Sequence, residues 1–184
     1  KHRYIGVKMT PEEISNYVQN KRDDAYLTKG RQLCNTETKF TKISSKIGKK
    51  TVVYSFFREN GVDGFFTFLL NHPGSKSKSK HYLVFKIHKR KIHVKIFSNP
   101  EEDIRWFNRT SSKNKMLLIT SKARLGISLT GVDTFHIMEP QWSYADEAQA
   151  VGRATRMDSH KHGETVTVFH WVSTAGKNES SDEI

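Results

Sequence analysis

Cysteine is nearly absent: Cys34 is the only one in 184 residues, so no disulfide can form within the chain. Disulfide-stapled secreted scaffolds are thereby excluded, and an intracellular, reducing compartment is the expectation. The nine histidines are scattered, and His160 and His162 with the distant Cys34 match no zinc spacing, so no resident metal is expected. Long apolar runs are missing too. No stretch approaches the roughly 20 apolar residues of a membrane span, and no secretory leader precedes the first helical pattern, so no membrane partner is expected. Acids are scarce beside bases, 19 Asp and Glu against 31 Lys and Arg, for a formal charge of +12. Such a chain is predisposed to polyanions, of which nucleic acid is the commonest, although a solvated lysine-rich face gives the same count.

What is there is enough apolar sequence, 35%, to bury the core of one compact domain. The first 48 residues read as a helical arm or linker. Thr10 is placed to cap a helix over 10–19, with Pro11 in its first turn and Glu13 completing a capping box. A second helix is expected from Asp23 to about Cys34, and Phe40, Ile43 and Ile47 make a helical stripe ending at Gly48. From residue 49 to 173 the pattern changes. Thr51–Phe57 is short, β-rich and apolar on both faces, as a strand in a covered parallel sheet would be. Helix is expected over 62–70 and again from Asn99 through Trp106 and Phe107. Buried strands are expected at 116–120, 132–139 and 165–172, with a helix from Ser143 to about Met157. The basic segment at about 73–91 reads as an insertion, a flexible Pro73–Lys80 loop followed by a hairpin of 82–87 and 92–97. Residues 174–184 read as a polar tail. This strand–helix rhythm is that of an open α/β sheet with ligand sites at the carboxyl ends of its strands.

The expected helix at 143–157 carries the most informative pattern. At about 100° per residue, Gln149, Gly152, Arg153 and Arg156 share one face, while Tyr144, Ala148, Val151 and Thr155 take the other. Arginine is a permanently charged fork that matches phosphate oxygens. Two of them a turn apart can hold a triphosphate and stabilise the charge that develops as its terminal phosphoryl group leaves. Taken alone, the same face also suits solvated salt bridges.

Its neighbours narrow the choice. Gln149-x-x-Gly152-Arg153-x-x-Arg156 resembles motif VI of superfamily 2 helicases, Leu118–Leu129 resembles motif V, and Thr51–Phe57 resembles motif IV, all in the family's order. The wording of Gly126–Leu129, His136–Trp142 and Gly152–His160 is similar to helicases of large cytoplasmic DNA viruses, of the poxvirus nucleoside triphosphatase I and early transcription factor ATPase type, related to Swi/Snf translocases. The resemblance covers about residues 40–173. It implies a RecA-like second lobe, with an open, mainly parallel sheet and helices on both faces, preceded by the helical arm. It further implies that Arg156 is an arginine finger on the γ-phosphate, with Arg153 beside it and Gln149 at the cleft. Gly126 and Ser128 would lie near the nucleotide, although Ser128 stands where many relatives have an acid or asparagine. Ser55, Phe56, Thr120 and Ser121 would touch the nucleic-acid backbone, and Lys122 and Arg124 are further phosphate contacts on charge grounds.

A complete motor also needs a Gly-x-x-x-x-Gly-Lys-Thr/Ser loop and acids for Mg²⁺. None occurs here, since Gly48-Lys49-Lys50-Thr51 precedes a strand where a phosphate loop would follow one. The expected cofactors, ATP and Mg²⁺, would therefore be held mainly by a first lobe preceding Lys1, and this lobe alone is expected to be inactive. The expected partners are that lobe, nucleic acid with DNA favoured over RNA, and, if the chain is viral, the viral RNA polymerase in the host cytoplasm or virion. The alternative is a non-catalytic nucleic-acid-binding or protein-interaction module retaining the fold.

Overall fold

In the computed structural model, residues 2–20, 28–121, 129–140, 165–176 and 180–183 are described. Their strands are β1 (His2–Lys8), β2 (Lys50–Ser55), β3 (Lys76–Ser79), β4 (Tyr82–Ile87), β5 (Arg90–Ile96), β6 (Asn114–Thr120), β7 (Thr134–Ile137) and β8 (Thr167–Thr174). The helices are α1 (Pro11–Asn20), α2 (Thr28–Leu33), α3 (Glu37–Ser44), α4 (Gly64–Leu70) and α5 (Pro100–Asn108), with a wide helical turn at Arg58–Asp63 before α4. The eight strands form one sheet in the order β1-β8-β7-β2-β6-β5-β4-β3. Pairing is parallel from β1 to β5 and antiparallel through β4 and β3. The expected α/β sheet is therefore present.

The central strands are apolar on both faces because both faces are covered. Val53, Met116 and Leu118 point to the layer that α3 and α4 close with Phe40, Ile43, Phe65, Phe66 and Leu69. Their neighbours Val52, Tyr54, Leu117 and Ile119 point the other way, to Phe107 of α5 and to Phe135, Ile137 and Val168. Fully burying one such side chain contributes about 1.5–3 kcal/mol, so the two layers hold β2 and β6 from either side.

Four expectations change. The segment before residue 49 is not a purely helical arm: it opens with β1, which pairs with β8 along its whole length. The α1 capping box does form, with Thr10 N–H donating to Glu13 Oε1 at 2.9 Å and Glu13 N–H to Thr10 Oγ1 at 3.1 Å. Pro73–Lys80 is not only loop, because Lys76–Ser79 is a fully exposed edge strand on β4. The 82–97 hairpin, expected as part of an insertion, is continuous with the main sheet, with β5 parallel to β6. Finally, the polar tail folds back. Ser180, Ser181 and Asp182 are buried. Tyr17 and Ser181 hydroxyls lie 2.8 Å apart, and Asp182 accepts from Ser173 N–H at 2.9 Å and from Lys39 Nζ at 2.7 Å, a fully buried ion pair.

Candidate functional site at the carboxyl edge

The chain leaves β2 toward β5, returns to β6 on one side of β2, then steps across to β7 on the other. Where strand order reverses like this, the carboxyl ends of the strands leave a crevice in which ligands gather. Ser55 ends β2 and stands in register with Thr120 at the end of β6, while Tyr54 pairs with Ile137 at the end of β7. Three parallel strands thus deliver their last residues to one edge, about 4.8 Å apart.

Glu139, two residues beyond β7, organises that edge. It is fully buried. Its carboxylate accepts from the Ser55 hydroxyl at 2.9 and 3.1 Å, from Phe56 N–H, and from Asn35 Nδ2 at 3.1 Å. Burial pushes its pKa above the usual carboxylate value, opposed by the nearby Lys39 and by these donors. Lys39 Nζ in turn donates to Met138 O at 2.8 Å and Asn35 Oδ1 at 3.2 Å, and an Arg31 N–H donates to Pro140 O. The ends of β2 and β7 are therefore tied to α2 and α3 through one buried polar network. A half-satisfied version would cost more than an apolar core, so the network rigidifies the edge only while complete.

Of the residues singled out in the sequence, Ser55, Phe56, Thr120 and Ser121 are brought together here. Ser55 is a correction. It is fully buried, its hydroxyl donates to Glu139 and accepts from Phe57 N–H at 3.1 Å, and Gly61 packs so close that a Cβ there would lie 2.1 Å from Ser55 Oγ. Ser55 fixes the edge and offers nothing outward to a nucleic-acid backbone. Phe56 also gives its backbone N–H to Glu139. Its half-buried ring meets Phe57 edge-on at 5.5 Å. Thr120 is buried, 9% exposed, and Ser121, like Phe56, is half-buried. Lys122, Arg124, Gly126, Ser128, Gln149, Arg153 and Arg156 lie outside the described residues. Sequence reasoning missed Glu139, Lys39 and Asn35. The one available signal was an acid placed directly between a buried strand and Pro140.

The Gly48–Thr51 segment sits at the opposite, amino end of β2, where Asp133 Oδ2 accepts from the N–H groups of Lys49 and Lys50 at 3.0 and 3.1 Å. Those amides are committed to a carboxylate, so they do not cradle phosphate. His136 is a core histidine, fully buried and bonded through both ring nitrogens.

Comparison with known proteins agrees with this architecture. A protein of Acanthamoeba polyphaga mimivirus described as an ATP-dependent RNA helicase is 32% identical over 137 residues, covering 67% of this chain and 23% of the mimivirus protein. The killer plasmid pGKL-2 helicase of Kluyveromyces lactis is 28% identical over 148 residues, covering 77% of this chain and 24% of that protein. The chain thus spans about a quarter of the length of these curated relatives. Among solved structures, T4 UvsW superposes over 100% of this chain and 36% of its own, with a TM-score of 0.61 at 10% identity, a likeness of fold. The family model for the helicase conserved C-terminal domain matches residues 31–158, and the chain belongs to that family as the second, RecA-like lobe of a superfamily 2 helicase.

Proposed function

We propose that this lobe completes the ATP site of a superfamily 2 helicase or translocase, with Arg153 and Arg156 entering a cleft whose other wall is the preceding lobe. The observation that carries the reading is the carboxyl edge. The motif IV-like and motif V-like strands end side by side there, Ser55 in register with Thr120, in a family match that runs on through Gln149–Arg156.

The described edge suits a supporting role toward nucleotide and nucleic acid. Glu139 is buried and turned inward onto Ser55, Phe56 and Asn35, so it is no ligand for a hydrated Mg²⁺, which would be held by acids of the first lobe. Gly126, Ser128 and Gln149 are assigned to the nucleotide side of the cleft. Thr120 and Ser121, with Lys122 and Arg124 after them, are assigned to the phosphate backbone, where contacts position without reading sequence. Lobe closure would bring the two arginines against the β- and γ-phosphates and move one backbone grip relative to the other. Reopening after hydrolysis would reset it. Placed in a virus, such a motor fits transcription or replication beside the viral RNA polymerase in the host cytoplasm.

The test is Arg156→Ala in the full-length protein, with ATPase measured with and without DNA or RNA. Turnover should fall by about 10³-fold or more while the fold persists. Unchanged turnover removes the arginine-finger assignment, and the nucleic acid that stimulates the wild-type enzyme decides DNA against RNA.

A further inference from the structure

Among the described residues, the face of the sheet that α5 covers is covered as far as Trp106. Beyond it, toward the β3 edge, side chains alternate by strand rules. Leu83, Phe85, Ile92 and Val94 turn into the core beneath α4. Lys86 and Lys91 turn outward, directly opposite each other across the β4–β5 pair, and both are exposed. Like charges in that position destabilise a sheet. The crowding does not stop there. Lys78, Lys91, Lys113 and Lys115 all act on His93 and, with burial as the larger cause, hold its pKa below the usual value. Among the described residues the ion pair on this face is Lys95–Asp103 at 3.8 Å, and Asp103 is already accepting from Ser98 and Asn99 N–H. Lys95 Nζ instead lies over the rings of Tyr82 and Trp106, at 5.2 and 4.9 Å from their centroids.

Edge protection explains part of this. Lysines on an exposed edge strand such as β3 discourage pairing with another chain. Lys86 and Lys91 lie past the ladder with β3, which meets β4 only at Tyr82–Val84, and before the ladder with β6, which meets β5 only from Ile92, so they stand opposite each other on the exposed face of the hairpin end. A face carrying this many cations and so few acids is complementary to a polyanion.

We propose that the outer face of β3–β5, centred on Lys86 and Lys91 and flanked by Tyr82 and Trp106, is a second nucleic-acid contact surface, separate from the carboxyl edge. It binds phosphate backbone. It lies on the outward face of the β4–β5 hairpin, away from the carboxyl edge, so it would hold a flanking stretch of the nucleic acid that the motor cleft grips. This inference rests on the reading of the chain as a nucleic-acid motor lobe.

The experiment compares the full-length wild type with Lys86→Glu/Lys91→Glu and with Lys42→Glu/Lys46→Glu. The control pair carries the same charge change on exposed residues of α3 and just after it, against the sheet's opposite face. Binding of fluorescein-labelled oligothymidylate and of a mixed-sequence duplex is followed across a potassium chloride series, alongside nucleic-acid-stimulated ATPase. The β4–β5 variant should bind about tenfold more weakly. Its log K against log salt should be shallower by about 0.7–0.9 for each lysine–phosphate pairing removed. More nucleic acid should be needed for half-maximal ATPase stimulation, with turnover at saturation unchanged. Equal losses in the two variants, or none in the β4–β5 variant, overturn the proposal and leave the motor reading intact. A wild type that neither binds nor responds to nucleic acid overturns both. Competition by polyglutamate as effective as by nucleic acid of equal charge overturns the choice of partner.

Discussion

Acidification should unfold this lobe through His136. The ring sits in β7, fully buried, stacked on Phe169 at 5.1 Å and on Trp171 at 5.9 Å. Its hydrogen bonds specify one tautomer. Trp171 Nε1–H can only donate, so His136 Nδ1 accepts it at 3.0 Å. The single ring proton is then on Nε2 and is given to Lys46 O at 2.8 Å. A second proton would set Nδ1–H against the indole N–H inside the core. Burial accordingly depresses the His136 pKa from 6.5 to about 4, against a smaller raising effect of the Lys46 carbonyl.

The sign follows from which state binds more protons. Between about pH 6.5 and 4 the unfolded chain has a protonated histidine and the folded chain does not, so stability falls as pH is lowered through that window and is flat above it. Linkage for one group with these values gives a loss of about 2 kcal/mol between about pH 7.5 and 5. Glu139 works in the opposite direction, because an acid whose pKa is raised by burial is relieved as pH falls. Comparing the wild type with His136→Gln cancels Glu139, which both proteins share. Urea unfolding at the two pH values is the assay. The variant should be less stable at neutral pH but should lack about 2 kcal/mol of the wild type's acid-dependent loss. Equal pH dependence in the two proteins would refute the assignment of the acid sensitivity to this ring.

Two further outcomes follow, one from the buried network behind the carboxyl edge and one from the β4–β5 turn. Lys39→Ala strands the buried Asp182 carboxylate and should cost about 3–5 kcal/mol in urea unfolding, whereas Lys39→Met combined with Asp182→Leu should recover most of it. The turn between β4 and β5 holds His88 and Lys89 at φ +48° and +66°, a region that favours Asn and Gly. His88→Asn with Lys89→Gly should therefore raise the unfolding midpoint, by about 1 kcal/mol in stability.

The parts legible in the sequence are those set by neighbours close along the chain. Thr10 and Glu13 are three residues apart and cap α1 as their spacing requires. The runs 52–54 and 116–119 are apolar at every position because helices cover both faces of their strands, so periodicity marks them as buried without further context. Strand β3 was illegible for the converse reason. Lys-Ser-Lys-Ser has weak strand preference and no buried face, and β4 alone recruits it. Likewise β1 is exposed at five of its seven positions and pairs with β8 along its whole length, with Val7 alone fully in the core.

The site divides along the same line. Motif residues announced the carboxyl edge, but whether each hydroxyl there faces ligand or core depends on partners far away in sequence. Ser55 lies 84 residues from Glu139, and Lys39 lies 143 residues from Asp182. A motif preserves residue type, and a serine at the end of a buried strand serves equally as a phosphate donor or as a bracket for a buried acid. The environment decides between these. An uncompensated carboxylate in this interior would cost several kcal/mol, so the nearest hydroxyl and amide are drawn to Glu139 before any ligand arrives. The end of β6 has no such acid bonded to it among the described residues, so the Glu139 carboxylate fixes the hydroxyl of Ser55 and not those of Thr120 and Ser121.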